Sequence, residues 1–481
     1  MTVYTLFTYI GIAALLLTAL RYFIKKPGNW VLTYFQNFVG SLFIFSGFVK
    51  AVDPLGTGYK MHEYFESFMT DFPQYNKFWD WSATMATPMA IGMIALEVFL
   101  GFMLIIGWQK RLTIALIYAL TLFFTLLTGY TYLSGYTISP GFIGLSALVL
   151  FLFFTACFPK KQNQRLMLAG AGFAGLLIAF AIAKFGDGFI GPQFKENGMR
   201  VTDCGCFGDF IKLKPWQTFY KDVFLDFVIL LLVIYIDKID ELFTNVSRHA
   251  LAGVLGAFSL GLCLYCTFMN EPIIDFRPYA VGENIPANME VKRQPVIKMT
   301  YPYKNQKTGE IVNITSDSIG NEKYKPITYD TTGLWKPGER IDDVLDEGIP
   351  ARISNLMIEN PEIGDVTGDL FADPNYSLMV IMWTLKGTHT EAFKELNDIA
   401  SKCDKAGIKF YAISSGDADV EEFRHKYQTA YPFLLADATP LKTMIRSNPG
   451  LILFKNGTVI NKWHYKHLPT FEELNAEYFK K

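Results

Sequence analysis

The sequence predicts a multi-span α-helical membrane bundle of about eight spans, followed by an α/β domain outside the membrane. Three observations predict it. Residues 1–270 carry long uncharged apolar runs, whereas residues 271–481 have the composition of a soluble chain. Each run holds roughly 20 residues, enough to cross about 30 Å of hydrocarbon. Lys and Arg gather in every second loop between the runs.

The runs lie near 3–24, 30–51, 84–107, 111–132, 139–158, 165–184, 216–237 and 249–269. The first lacks a basic start. Arg21, Lys25 and Lys26 follow it with no small-residue cleavage site, so it reads as a span rather than a signal peptide. Basic side chains recur at Lys110 and Arg111, at Lys160, Lys161 and Arg165, and at Lys238 and Arg248. With these loops cytoplasmic, the N-terminus, the loop at 185–215 and everything after the last span lie on the opposite side. The loop at 52–83 is rich in aromatics, among them Tyr64, Phe65, Phe68, Trp79 and Trp81, which suits a segment lying in the interface.

Glu97 lies near the middle of the third run and Asp226 midway along the seventh. A carboxylate at that depth is costly, so each is expected to face the bundle interior, paired or protonated. Burial favours the neutral acid, which makes a proton-exchanging Glu97 one reading. A structural acid bonded to a neighbouring helix is the other. Lys50 and Asp53 close the second run and read as an interface anchor and a helix cap.

Four of the six cysteines fall in two close pairs. Cys204-Gly205-Cys206 sits between the sixth and seventh runs. Gly205 can adopt backbone angles that other residues avoid, the freedom a disulfide across one residue needs. So small a ring departs from relaxed geometry and is readily reduced. Cys263 and Cys266, near the outer end of the eighth run, have i, i+3 helical spacing and share one face. The functional reading is a relay: the loop pair exchanges electrons with an outside protein, and the membrane pair passes them to a quinone. The other reading is one structural disulfide, or thiols that never react. Cys157 and Cys403 read as packing residues.

Phe43-Ile-Phe-Ser-Gly-Phe-Val-Lys50-Ala-Val-Asp53-Pro54, the run around Glu97, and Cys204-Gly-Cys206-Phe-Gly208 resemble the DoxX-like membrane proteins and their relative MauE, the methylamine-utilisation protein. The resemblance covers most of residues 30–270. It implies a bacterial inner-membrane protein with a four-helix core. In the MauE branch it also implies a role in maturing a disulfide-rich partner. The outer side is then the periplasm, which holds the N-terminus and the C-terminal domain. Asp203 stands where a proline or another small residue is expected, and the chain has more spans than the minimal family. No residue pattern points to methylamine itself.

Residues 271–371 read as a periplasmic connecting region. Strand-like stretches at 296–301 and 310–315 flank Asn305-Gln-Lys-Thr-Gly309, a β-hairpin signal. Residues 372–481 read as a strand at 378–383, a helix at 390–406 capped by Thr390, and a strand at 408–414. A helix through Phe423 and Tyr427, capped by Asp417, follows. A hairpin around Lys455-Asn456-Gly457 and a helix from Thr470 complete the order. This order resembles a thioredoxin-like domain. Ser447-Asn448-Pro449-Gly450 resembles that fold's cis-proline loop, which makes Pro449 and Gly450 candidate partner contacts. The stretch from Thr384 to Thr390 holds no cysteine where that fold carries Cys-x-x-Cys. Without a thiolate there is no nucleophile, so dithiol exchange by this domain is excluded. The layout is also similar to a group of Bacteroidota membrane proteins, through residues 351–359 and 373–377.

Lys and Arg number 44 and Asp and Glu 45, a net charge of -1, which leaves no basic field for nucleic acid. The six histidines are scattered and give no metal site. Two functions fit. One is an accessory or maturation protein that docks periplasmic envelope proteins and takes part in disulfide formation. It would use Cys204 and Cys206, backed by Cys263, Cys266 and Glu97, with a quinone as acceptor. The other is a non-catalytic scaffold subunit of an envelope export or assembly complex. Transport is a weaker third, since no internal repeat is visible.

Overall fold

Hydrocarbon offers backbone groups no water, so an apolar chain within it folds as helices that satisfy themselves. The computed structural model describes residues 2–133, 140–185, 205, 207–211, 213–319, 321–346 and 348–480, and their side chains except at 133, 140–143, 145 and 179–185. It forms two units. The first is Met1–Arg277 with Ile445–Gly450 and Trp463–Pro469; the second is Pro278–Met444 with Leu451–Lys462 and Thr470–Lys481.

The first unit contains α1 (Val3–Ile24), α2 (Trp30–Ala51), α3 (Pro54–Asp71), α4 (Asn76–Thr84), α5 (Ala86–Ile106), α6 (Lys110–Leu133), α7 (Pro140–Thr155), α8 (Gln162–Phe185), α9 (Pro215–Ile234) and α10 (Asn245–Phe268). Among the described residues, five helices are long and apolar enough to cross a membrane: α1, α2, α5, α6 and α10. Helix α7 has 16 residues, fewer than the ~20 a span takes. Helix α9 carries Lys221, Asp222 and Asp226. The side chains of α8 are described only as far as Ile178.

Local chemistry sets the ends. The Asn29 side chain accepts from the backbone N–H groups of Val31 and Leu32, both at 3.1 Å, and opens α2. Asp53 caps α3, with Pro54 at the first position, where its missing N–H costs nothing. The aromatic segment at 52–83 folds as α3 and α4, whose Phe68 and Trp79 rings meet at 5.0 Å.

Helices α2 and α5 pack closely through small residues. A Cβ added at Gly101 would lie 2.8 Å from the backbone oxygen of Gly40 and 2.8 Å from the backbone nitrogen of Ile44. Lipid tails are as apolar as leucine, so close backbone approach rather than the hydrophobic effect holds such helices together. At one end of the unit the basic loops converge on residues 237–241. Arg111 and Arg165 both bind Asp237, at 2.8 and 2.5 Å. Lys110 and Arg248 bind Glu241, at 3.5 and 2.6 Å.

In the second unit, α11 (Ile285–Met289) precedes β1 (Val296–Asn305) and β2 (Ile311–Thr315), then α12 (Lys325–Thr328), β3 (Trp335–Pro337) and β4 (Ile341–Asp346). Strand β1 pairs antiparallel with β2, β3 and β4. Next come β5 (Ile358–Asn360), β6 (Gly364–Asp365), α13 (Thr367–Phe371), β7 (Tyr376–Met382), α14 (Phe393–Lys405), β8 (Lys409–Ser414), α15 (Val420–Tyr427), β9 (Phe433–Ala436), α16 (Ala438–Met444), β10 (Gly450–Lys455), β11 (Thr458–His464) and α17 (Phe471–Leu474). These strands form a sheet in the order β11-β10-β7-β8-β9-β5-β6, with β7, β8 and β9 parallel. The unit does not divide at residue 371, because β5 pairs with β9 and so joins the expected connecting region to the sheet. Asn456 and Gly457 turn the β10–β11 hairpin with φ of 48° and 70°, the left-handed pair a tight hairpin needs. The Asn448–Pro449 bond is cis.

The α2–α5 contact makes an internally controlled prediction. Gly101→Ala forces a Cβ onto backbone atoms and should cost about 1–3 kcal/mol, lowering the thermal midpoint in mild detergent. Gly92→Ala on the same helix meets nothing within 4 Å and should leave the midpoint unchanged or raised.

Candidate functional site

A cavity opens in the first unit, walled by α2, α3, α5, α6, α9 and the segment around Gly205. Its apolar walls include Leu42, Phe43, Met61, Met93, Phe124, Leu127, Phe207 and Leu225. The polar lining is Ser46, Lys50, Thr57, Lys60, Tyr64, Glu97, Thr121, Thr128, Lys221 and Asp222.

Lys50 and Glu97 form a salt bridge of 2.5 Å, with 4% of each side chain exposed. Lys50 is therefore not the interface anchor expected. The last turn of α2 turns it inward to a carboxylate on α5, and its Nζ lies 5.2 Å from the centroid of the Phe124 ring. Glu97 does face the interior, as a paired acid. Lys221 binds Asp222 at 2.7 Å and lies 5.3 Å from the Phe207 ring centroid. Thr128 donates to Asp222 at 3.1 Å. Lys60 pairs with Glu63 at 2.8 Å. Each of these lining ammonium groups thus has a carboxylate.

Gly205 adopts φ of +58°, in the left-handed region that favours glycine. It also lines the cavity, packed against the stem of Lys60. Its neighbours Cys204 and Cys206 lie outside the described residues. Cys263 and Cys266 are free, buried in α10, and absent from the cavity wall. Cys263 packs with Ala51, Ile91, Ile94 and Ala95 instead. The structure thus brings Gly205 and Glu97 to one space but leaves the membrane cysteine pair outside it. Asp226 is buried one turn below Asp222, with its Oδ2 2.6 Å from Thr125. Sequence reasoning missed Lys221 and Asp222. The signal available was an adjacent Lys-Asp pair one turn ahead of Asp226 in the same run.

Within the first unit, Asp53 caps α3 and binds Arg446 at 2.6 Å. Burial opposes the charge of Asp53, but the Arg446 guanidinium outweighs it and holds the carboxyl below its usual range. Backbone N–H groups of Arg446 and Ser447 donate to Glu271. Pro449 and Gly450, the candidate partner contacts, belong to this buried segment.

In the second unit, the cysteine-free loop after β7 is tied down by Asp417. Its carboxylate accepts from Thr384 Oγ1 at 2.6 Å, the Leu385 N–H at 2.7 Å and Ser415 Oγ at 3.0 Å. The cap of α15 is Asp419, not Asp417. Helix α14 begins after a turn at Thr390–Ala392, and no side chain caps it, so the capping role expected of Thr390 is not found. Burial pushes the Cys403 thiol up to about 12, consistent with a packing residue. Among the described residues, no cluster of three or more His, Cys, Asp or Glu side chains is placed to hold a metal ion.

Residues 28–158 match the family described as Methylamine utilisation protein MauE, a stretch that runs from α2 through α7 and contributes Lys50, Glu97, Thr121, Phe124 and Thr128 to the cavity. Comparison with curated proteins and with solved structures gave no match.

Two predictions follow from the charges. Lys50→Met or Glu97→Met alone strands a buried charged partner and should cost about 3–5 kcal/mol in detergent unfolding. The double variant Lys50→Met/Glu97→Met should recover most of that loss; purely additive losses would refute the coupling. For Asp417, burial raises the carboxyl, but its hydrogen bonds win and hold it at about 2. The folded value lies below the ordinary ~3.9, so the stabilisation is present above that pH and is lost as pH falls through the folded value. Asp417→Ala should flatten this acid-induced loss and speed amide exchange at Leu385.

Proposed function

We propose that the chain is an inner-membrane accessory or maturation protein that takes part in disulfide formation on the outer side of the membrane. The observation that carries this reading is the position of Gly205. The residue between Cys204 and Cys206 in the chain lines the same cavity as Lys50 and Glu97. The MauE similarity covers the helices that build much of that cavity.

The membrane part is read as eight spans. Helix α9 supports this, because Asp222 and Asp226 are buried while Phe224 and Phe227 on the same helix are about half exposed. Convergence of the basic loops at one end supports a cytoplasmic assignment for that end. The N-terminus, the Cys204 loop and the C-terminal half are then periplasmic. The sheet order β11-β10-β7-β8-β9 supports a thioredoxin-like fold without redox cysteines, which docks envelope proteins rather than oxidising them.

In the first step, the Cys204 and Cys206 thiols become a disulfide and yield two electrons and two protons. A quinone, which Phe43, Phe124 and Phe207 would hold in the cavity, would supply the acceptor for both, leaving as the quinol. In the second, two thiols of a periplasmic partner exchange with that disulfide. The partner gains the disulfide, and Cys204 and Cys206 return to thiols. Cys263 and Cys266 have no part in this scheme. A non-catalytic scaffold is the second reading, favoured by the burial of Cys263 and Cys266 away from the cavity.

Alkylation trapping in intact cells tests the scheme. Cys204 and Cys206 should be found partly as a disulfide and shift to thiols when quinone is depleted. A pair that stays fully reduced under both conditions, or a Cys204→Ser/Cys206→Ser variant that still supports oxidation of the partner, would exclude it in favour of the scaffold.

A further inference from the structure

Asp226 differs from the other acids at the core of the bundle. Glu97 and Asp222 each face an ammonium group within 2.7 Å. Asp226 is 9% exposed and its Oδ1 has no hydrogen-bond partner among the described residues. Among the described residues, the charged and titratable groups facing it are Lys221 and Asp222 on α9 and Tyr118 on α6. Lys221 is engaged by Asp222. On α2, Lys50 is engaged by Glu97. On α8, Arg165 binds Asp237 and the carbonyl of Ile234, at the far end of α9. An ionised Asp226 would therefore be a buried charge without its own partner, a state proteins avoid by neutralising the group.

The contacts of Thr125 point the same way. Its Oγ1 lies 2.6 Å from Asp226 Oδ2 and 3.0 Å from the carbonyl of Thr121. A hydroxyl has one proton to donate and lone pairs to accept. The carbonyl can only accept. Both contacts are full hydrogen bonds when Thr125 donates to Thr121 and accepts from a protonated Asp226.

We propose that Asp226 is a proton store for the cavity, carried as the neutral acid and exchanging its proton with Asp222 on the cavity wall. The two acids share one face of α9 at i, i+4 spacing, roughly 5–6 Å between Cβ atoms, a gap that one water can bridge. Asp222 lines the cavity and Asp226 does not, so Asp226 holds the proton out of reach of the ligand. The store itself stands without the quinone scheme; its use in thiol oxidation rests on that scheme. There it would buffer the protons that pass from the thiols to the quinol.

Infrared difference spectroscopy of the full chain in detergent, native minus Asp226→Asn, tests the store directly. A protonated-carboxyl C=O band present in the native protein, lost in Asp226→Asn and shifted in Thr125→Val supports it. Native and Asp226→Asn spectra that match across the protonated-carboxyl C=O region overturn it. The amide is close in shape to the neutral acid, so Asp226→Asn should keep the native thermal midpoint. If that variant does not fold, Thr125→Val alone carries the test, and an unshifted band overturns the assignment. In trapping experiments, Asp226→Asn should slow Cys204/Cys206 oxidation by about tenfold, with Asp226→Glu restoring it. A band without thiol cycling removes the redox scheme and keeps the proton site.

Discussion

The buried ion pair between Lys50 and Glu97 is the interaction on which the rest of the bundle depends. It joins the last turn of α2 to the middle of α5, the two helices whose backbones approach at Gly40 and Gly101. Neither charge is tolerable alone at that depth. Together they tie the register of one helix to the other. Slide α2 by a turn and the ammonium leaves the carboxylate, while the close backbone contact meets side chains instead of glycine. The cavity is built against this pair, with Phe124 of α6 over the ammonium and the segment around Gly205 as part of the wall.

The helices themselves were legible because their signal is local. A run of roughly 20 apolar residues announces a membrane helix wherever it packs, and the ends of α1 and α2 fall where the runs begin and end. The pairing of Lys50 with Glu97 was not legible. Forty-seven residues separate them, and the pair exists through the rotation of two helices, which hydropathy does not encode. Lys50 lies at the end of a run, where a snorkelling side chain is the simplest reading. Only the neighbouring helix reverses it. Cys263 and Cys266 show the opposite error: both are buried, but Cys263 meets Ala51 and Ile94, and neither lines the cavity.

The second unit repeats the lesson on a smaller scale. Asp417 and Asp419 are two residues apart and equally suited to cap the next helix by type. The helix takes Asp419, which leaves Asp417 free to turn back onto the loop after β7. That loop contains no cysteine, and hydrogen bonds from Thr384 Oγ1 and the Leu385 and Lys386 N–H groups to one carboxylate now fix its start. Strand β8 brings Asp417 beside β7, so this tie is a consequence of parallel pairing between strands with a helix between them in the chain.

Charge balance among the described lining residues bears on the ligand proposed for the cavity. Lys50, Lys60 and Lys221 have Glu97, Glu63 and Asp222 as partners. A phosphate or carboxylate entering the cavity would compete with one of these acids, and it would leave the displaced acid unpaired in a largely apolar space. A neutral ring with hydrogen-bonding edges has no such conflict: it can lie against Phe43, Phe124 and Phe207 and meet the hydroxyls of Thr121 and Thr128 while every pair stays closed. Among the described residues, the same count leaves Asp226 without an ammonium group of its own. A proton is the one counter-charge small enough to supply there without rebuilding the helices around it. The rule that favours a neutral ligand in the cavity therefore also favours a neutral acid beneath it.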